Sequence, residues 1–212
     1  MSQEKPVESL LKKIQTKIRY GLTLDSISSI IQKIGVEFTP YYLFLEGINV
    51  PEITELKRIT SDYSFELLGP EDIKIIGTLD AGYSEEKFLA LLNTGEKCIG
   101  LKYNGEIAAF MWINLNELSY KSTIIHLKSN EAYLWYMYTV KSYRGKNLAP
   151  YLRYKSYEIL KEMDRDVLYS VSNYFNSPAI KFKQKLNAKK LKIILFIKLF
   201  NIFSCRFTVR SY

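Results

Sequence analysis

The sequence predicts a chain of mixed α and β elements, the α/β (α+β) class, and three stretches predict it. Residues 138–153 end a β-rich apolar run at Val140, make a short basic turn, Arg144-Gly145-Lys146-Asn147, and open an amphipathic helix near Leu148. Residues 166–172 then read as a further strand, which completes a β-α-β unit with a right-handed crossover. Upstream, Asn104-Gly105 separates two apolar runs, and Asn-Gly in that setting is the strongest short-range hairpin signal.

The elements follow in order. Val7, Leu10, Leu11, Ile14 and Ile18 share one face of a helix over 7–20, with Lys12, Lys13, Lys17 and Arg19 elsewhere. Gly21 stops it. A second helix runs from Thr23 or Asp25 to Lys33, uses Ile27, Ile30 and Ile31, and ends at Gly35. This helix pair could dock on the chain's own sheet, form a dimer contact or lie on a membrane surface. Residues 36–50 read as extended, interrupted at Thr39-Pro40, and 51–61 as a connector. An N-terminal extension over 1–62 and a main domain over 63–212 are therefore expected. The first core strand falls at 64–68. Pro70 in a first helical turn, with Glu71 and Asp72 at the positive end, starts a short helix. Ser84, ahead of Glu85 and Glu86, caps the next, which carries Phe88, Leu89, Leu91 and Leu92. Strands follow at 97–103, 106–114 and 132–140. The helix after the basic turn extends to Met163 and places Leu148, Leu152, Ile159, Leu160 and Met163 on one face. The last helix covers 179–186, and 190–200 with 204–210 form a terminal hairpin across Asn201.

Composition sets the bounds. Of 212 residues, 47% are hydrophobic and 14% aromatic, with 17 Tyr, which suits a globular core and excludes a disordered chain. Cys98 and Cys205 stand far apart in expected strands and read as small buried apolar residues of a reducing compartment. With one histidine, His126, a zinc site or a His-dependent triad is not expected, and no metal is assigned. The net charge is +8. Residues 167–212 hold nine Lys/Arg and no Asp or Glu, which leaves 21 basic against 22 acidic residues elsewhere, or −1. That basic end could attract an anionic cofactor, an anionic membrane or nucleic acid, or form a solvated face. No nucleic-acid-binding motif supports the nucleic-acid reading. From the polar N-terminus no signal peptide is expected, and the apolar run at 191–203 contains Lys192 and Lys198, short of the ~20 apolar residues of a spanning helix. A cytoplasmic protein is expected, with a peripheral membrane contact or a homodimer left open.

A strand, a compact turn and a helix together aim backbone N–H groups and the positive end of a helix at one spot. Such a spot takes an anion, and a diphosphate fits it well. The residues there, Arg144, Gly145, Lys146, Asn147, Leu148 and Ala149, resemble the acyl-CoA signature of the GNAT superfamily of N-acetyltransferases, in which Arg or Gln and two residues precede Gly, any residue, and Gly or Ala. Asn147 replaces the first of those small residues, and Asn tolerates positive φ well among non-glycine side chains. A second matching segment follows. Asn173 ends a strand and Asn176-Ser177-Pro178-Ala179 opens the helix running to Lys185-Leu186, similar to the family's Asn-x-x-Ala…Lys-Leu-Gly-Phe, with Asn187-Ala188 in place of Gly-Phe. Glu71-Asp72-Ile73 resembles an acidic step common in the family. The chain is thus identified as a bacterial-type member with an N-terminal extension, the two segments and their spacing covering about residues 64–195.

The resemblance implies a mixed, mostly antiparallel sheet flanked by helices. It also implies a V-shaped split between the strand ending at Val140 and the strand at 167–172. There the pantetheine arm pairs with the first strand, and a β-bulge frees the N–H groups that polarise the thioester carbonyl. The implied reaction is acyl transfer, most often of acetyl from acetyl-CoA, to the amine of a small molecule such as an amino sugar, amino acid or polyamine. The implied cofactor contacts are Tyr138, Val140, Arg144, Gly145, Lys146, Asn147, Leu148, Ala149, Asn173, Asn176 and Lys183. An alkyl amine is only about one part in a thousand neutral at pH 7, so a base is useful. The family often keeps a Glu beside the strand ending at Val140, yet residues 132–143 contain no carboxylate. Glu131 begins the strand, Glu117 lies upstream, and Tyr133, Tyr136 and Tyr138 are the other polar side chains. Alternation puts Tyr136 and Tyr138 on one face, opposite Trp135 and Met137. Tyr136, Tyr138 and Glu131 are therefore the candidate catalytic groups, working through a water relay, although the tyrosines could equally be half-buried strand residues. Where many relatives place a Tyr as acid for the leaving thiolate, this chain has Lys183. That lysine could serve the thiolate or the CoA phosphates, or face water. Two other readings stay open: a non-catalytic acyl-CoA-binding module, and a transferase of longer acyl chains near a membrane.

Overall fold

A computed structural model of the protein describes residues 35–51, 63–79, 82–200 and 202–212. The helices expected over 7–20 and 23–33, and most of the expected connector, lie outside the described residues. In chain order the elements are β1 (Val36–Glu46), β2 (Tyr63–Leu68), α1 (Pro70–Thr78), α2 (Glu85–Asn93), β3 (Lys97–Tyr103), β4 (Glu106–Asn114), β5 (Glu117–Tyr120), β6 (Thr123–His126), β7 (Glu131–Thr139), a single 3-10 turn (Lys141–Tyr143), α3 (Leu148–Glu162), β8 (Val167–Asn173), α4 (Ser177–Lys185), β9 (Lys189–Leu199) and β10 (Phe203–Ser211).

Local chemistry accounts for most of these. Asp72 turns back to accept from the Gly69 N–H at 3.1 Å and so closes the first turn of α1. Asn104 and Gly105 both take positive φ, 49° and 83°, which is the geometry a two-residue hairpin loop between β3 and β4 requires. Thr39-Pro40 does not interrupt β1; the Pro40 carbonyl accepts from Tyr174 N–H at 2.9 Å. Ser84 stands at the N-cap of α2 without a side-chain cap bond. The small β5–β6 hairpin is absent from the sequence expectation, its strands being four residues each and too short to show a period.

The chain packs as two compact units that interleave in sequence. The larger takes Phe44–Val171 and Phe182–Lys189. Its strands run in the order β8-β7-β4-β3-β2, with the end of β1 beside β8 and β5–β6 as a separate pair. β7 and β8 pair in parallel; β4–β7, β3–β4 and β2–β3 are antiparallel. β4 is buried on both faces. Ala109, Met111 and Ile113 join Leu134, Leu148, Leu152 and Leu160 in one core, and Phe110 and Trp112 join Ile73, Ile76 and Phe88 of α1 and α2 in the other. Alternation along β4 thus assigns α3 to one face and α1–α2 to the other. Gly100 is required in β3, because a Cβ there would meet Leu68 Cδ1 at 2.6 Å.

The buried face of α3 differs from its expected apolar stripe. Leu148, Leu152 and Leu160 are buried as expected, but Ile159 is only half-buried and Arg153, Ser156 and Tyr157 take interior positions. The described residues of the smaller unit, 35–43, 172–181, 190–200 and 202–212, hold β10, β9 and the first part of β1 in that order. Tyr41, Tyr42 and Phe196 are its buried apolar residues among those described.

Candidate functional site

The site starts where β7 and β8 part. Glu131, Ala132 and Tyr133 pair with Val167, Leu168 and Tyr169, and no further pair forms, although β7 runs on to Thr139. Across the other edge of β7, Trp112 faces Trp135 and Phe110 faces Tyr138. Tyr136 and Met137 therefore oppose Met111 alone, which is a β-bulge, and Tyr136 takes φ +43° within it. The split and the bulge implied by the family resemblance are both present. The bulge also revises a facing. Trp135, Tyr136 and Tyr138 all pack against the core of α1 and α2, while Met137 packs against the α3 core. Trp135 thus shares a face with the two tyrosines, because one extra residue resets the two-residue alternation.

β7 leads into the basic turn. Val140 N–H donates to Ala108 O at 3.0 Å, Tyr143 N–H to Val140 O at 2.9 Å and Tyr151 N–H to Asn147 O at 3.3 Å. None of these bonds uses the amides of Gly145, Lys146, Asn147, Leu148 or Ala149, and the first N–H groups of a helix have no carbonyl within it. Asn147 is the N-cap of α3 at φ +58°, so it takes the left-handed conformation expected for it. Gly145 lies at φ +82° with no atom within 4 Å of a would-be Cβ, which leaves its outer face open. Arg144 Nε donates to Thr139 O at 3.0 Å and its guanidinium sits 5.7 Å from the Tyr138 ring. Lys146 Nζ lies 5.0 Å over Tyr143. Leu148 is buried in the core, so only its backbone can meet a ligand. Amides, an open glycine and two cations fit a diphosphate.

Beside the bulge is an aromatic wall. Tyr83 stacks on Tyr136 with ring centroids 4.7 Å apart, and Phe110 lies 5.6 Å from Tyr138. Gly82 passes within 3.4 Å of the Tyr136 hydroxyl, measured from a would-be Cβ. Lys87 Nζ sits 3.9 Å over the Tyr83 ring, a cation–π contact within the chain. Burial, with Tyr83 and Tyr138 adding to it, pushes the Tyr136 hydroxyl up to about 12. It is therefore a protonated phenol at neutral pH and no ready base.

A carboxylate missed by sequence reasoning lies next to this wall. Trp135 Nε1–H donates to Glu96 Oε2 at 2.8 Å. Burial raises the pKa of Glu96, against hydrogen bonds from Trp135 and Asn114. Glu131 is not so placed. β7 rises ~3.3 Å per residue, so Glu131 stands on the order of 20 Å from Tyr138. Its oxygens accept from Lys128 N–H at 2.9 Å and from the Tyr169 hydroxyl at 3.3 Å. Glu131 closes the paired end of the split and does not reach its open end.

Lys183 is corrected too. It does not face water: it is 2% exposed, and its Nζ donates to Ser170 Oγ at 2.6 Å and Val171 O at 3.1 Å. Ser170 is the first β8 residue past the last β7–β8 pair. Its hydroxyl donates to Glu46, a carboxylate with no exposure. Tyr157 donates to the other Glu46 oxygen at 2.5 Å. Burial pushes the Glu46 carboxyl up, but Arg153, Lys183 and the two hydroxyls outweigh it and hold it below the usual range. Within the smaller unit, Asn173 Oδ1 accepts from Phe175 N–H and Asn176 Oδ1 from Ala179 N–H. Asn176 caps the start of α4.

Residues 56–188 match the profile of the acetyltransferase (GNAT) family. No curated protein sequence matches the chain at a significant level. Among solved structures, an acetyltransferase of the GNAT family from Colwellia psychrerythraea is 13% identical at a TM-score of 0.59, over 82% of this chain and 61% of its own. A GNAT-family protein from Novosphingobium aromaticivorans is 17% identical at a TM-score of 0.55, over 78% of this chain and 66% of its own. The GCN5-related glucosamine N-acetyltransferase region of a fungal multi-domain β-N-acetylglucosaminidase is 10% identical at a TM-score of 0.58, over 82% of this chain and 23% of its own. The chain thus spans less than two thirds of the length of each of these three structures. Among the described residues, no helix is long and apolar enough to cross a membrane.

Proposed function

The chain belongs to the GNAT acetyltransferase family, and on that premise we propose that it is an acyl-CoA-dependent N-acyltransferase. It moves acetyl from acetyl-CoA to the amine of a small molecule by direct attack. One observation carries this reading: β7 parts from β8 after Tyr133, bulges at Tyr136 and runs straight into an amide-lined basic turn. A thioester and its diphosphate need those features in that order along one strand.

The amides of residues 145–149, with the charges of Arg144 and Lys146, hold the diphosphate. The β7 backbone from Tyr138 to Val140 lies along the pantetheine arm, and the N–H groups freed at the bulge polarise the thioester carbonyl. The acceptor amine approaches along Tyr83, Tyr136 and Tyr138. Its nitrogen forms the new C–N bond as the C–S bond breaks. The nitrogen's proton passes by a water relay to Glu96, and the thiolate leaves and takes a proton from solvent. A CoA thiolate, with a pKa of about 9, can depart without an acid in the site, which suits the burial of Lys183.

The test mixes the purified protein with acetyl-CoA and a panel of amino sugars, amino acids and polyamines, and follows free thiol. Amine-dependent thiol release is expected. CoA binding without turnover on any amine would favour an acyl-CoA-binding module instead. Turnover confined to long acyl donors would favour a longer-chain transferase.

A further inference from the structure

A cavity of about 350 Å³ opens in the larger unit, between the C-terminal half of α3, the start of β8 and the residues after β1. That volume falls in the range of small-molecule sites, roughly 300–1,000 Å³. Tyr154, Tyr157, Glu158 and Lys161, spaced three and four apart, turn one face of α3 to it. The cavity stands apart from the basic turn: at ~1.5 Å per residue, Lys161 lies on the order of 20 Å from Asn147 along the helix axis. Part of the lining is apolar. Val50 and Leu168 meet the rings of Tyr154 and Tyr157 there, and the Tyr157 hydroxyl is already committed to Glu46 at 2.5 Å.

The charged groups of the lining select the ligand. Arg165 is fixed: its Nη1 donates to the carbonyls of Leu115, Lys128 and Glu131 at 3.4, 3.0 and 2.8 Å. Its Nε and Nη2 carry no hydrogen bond among the described residues. A guanidinium held at one corner with its other donors open is a pre-organised anion anchor. The Lys161 ammonium also has no hydrogen bond or ion pair among the described residues. The last carbonyls of α3 do not compete for it, because those of Ile159, Leu160 and Lys161 accept from the amides of Met163, Arg165 and Asp164. Of the two acids in the lining, Glu158 is paired with Lys155 at 2.6 Å, and Asp166 accepts from Asn130 Nδ2 at 2.9 Å. Arg165 and Lys161 thus stand against Asp166 alone, a surplus of one positive charge. A monoanion with an apolar body matches that surplus and the rings beside it, whereas a dianionic phosphate exceeds it.

We infer that this cavity binds a small organic carboxylate, its oxygens on Arg165 and Lys161 and its apolar body against Tyr154, Tyr157 and Leu168. This inference is independent of the acyl-transfer reading. The test titrates the full chain calorimetrically with phenylacetate, with and without CoA. One-to-one binding is expected, unchanged by CoA. Phenylacetamide keeps the ring but lacks the charge, and should bind about tenfold more weakly, from the loss of charge-assisted hydrogen bonds. Acetate and inorganic phosphate lack the ring and should also bind about tenfold more weakly, from the loss of buried apolar area. Lys161→Gln, at an exposed position, should weaken phenylacetate by about threefold and leave the melting temperature and CoA binding unchanged. No phenylacetate binding, phenylacetamide or phosphate bound as tightly, affinity indifferent to Lys161→Gln, or displacement of phenylacetate by CoA would each overturn the proposal.

Discussion

Lys183 Nζ lies 3.6 Å from Glu46 Oε1, and the two side chains are 3% and 0% exposed. Arg153 Nε lies 3.6 Å from the other Glu46 oxygen. Two buried cations thus share one carboxylate, and Arg153 Nε and Nη1 have no hydrogen-bond partner among the described residues. Each cation needs Glu46 more than a surface ion needs its partner, because removing it would leave charge in a low-dielectric interior. Glu46→Gln should destabilise the protein by roughly 3–5 kcal/mol in urea unfolding. Adding Lys183→Met to that variant should recover part of the loss. A Glu46→Gln protein as stable as the parent would show that the cluster is not ionised as drawn.

The same cluster sets a pH dependence. Burial first, and then Arg153, push the Lys183 ammonium down to about 7, against the pull of Glu46. The unfolded chain keeps an ordinary lysine near 10.5 and so binds more protons between those two values. Stability contributed by this residue should therefore rise as pH rises through that window. Lys183→Met should remove the rise. Melting curves of parent and variant at several pH values read the difference, and parallel profiles would contradict the shifted lysine.

What the sequence makes legible here is local. Asn104-Gly105 and the Arg144–Asn147 turn are each encoded within a few residues, and Asn147 takes the positive φ that its substitution for glycine demands. The Glu46 cluster was illegible because its members meet over long separations: 111 residues between Glu46 and Tyr157, 124 between Glu46 and Ser170. Arg153 and Ser156 read as the polar side of α3 until Glu46 is known to lie beneath them. Glu96 falls between these cases. Counting back along the hairpin from Asn104-Gly105 sets it beside the end of β4 near Asn114, and Asn114 does bond it. The further step to Trp135 spans 39 residues and needs the β4–β7 register, which a bulge shifts.

At the basic turn, two substitutions should separate charge from shape. Arg144→Ala removes a cation but leaves the backbone, and should weaken CoA binding by about tenfold at low salt, less as salt rises. Gly145→Ala keeps every charge but puts a Cβ at φ +82°, a strain of about 1–2 kcal/mol. It should weaken CoA binding with little change in salt dependence. Isothermal titration at two salt concentrations distinguishes them. Unchanged affinity in both would remove the diphosphate from this turn.

Glu96 can be tested apart from the turn. Its carboxyl is half-buried, its pKa is raised by that burial, and Trp135 holds it beside the bulge. If it takes the acceptor's proton, it must be ionised to work. The rate should then fall as pH drops through a value above the ordinary carboxylate range. Glu96→Gln keeps the size and an acceptor for the Trp135 N–H but cannot take a proton, so it should lower kcat by about a hundredfold and abolish that acid limb. KM for acyl-CoA should not move, since no atom of the turn is touched. Trp135→Phe, which frees the carboxylate from its anchor, should shift the limb without removing it. A Glu96→Gln enzyme with the parent's pH–rate profile would assign the proton to another group and leave the cofactor site standing.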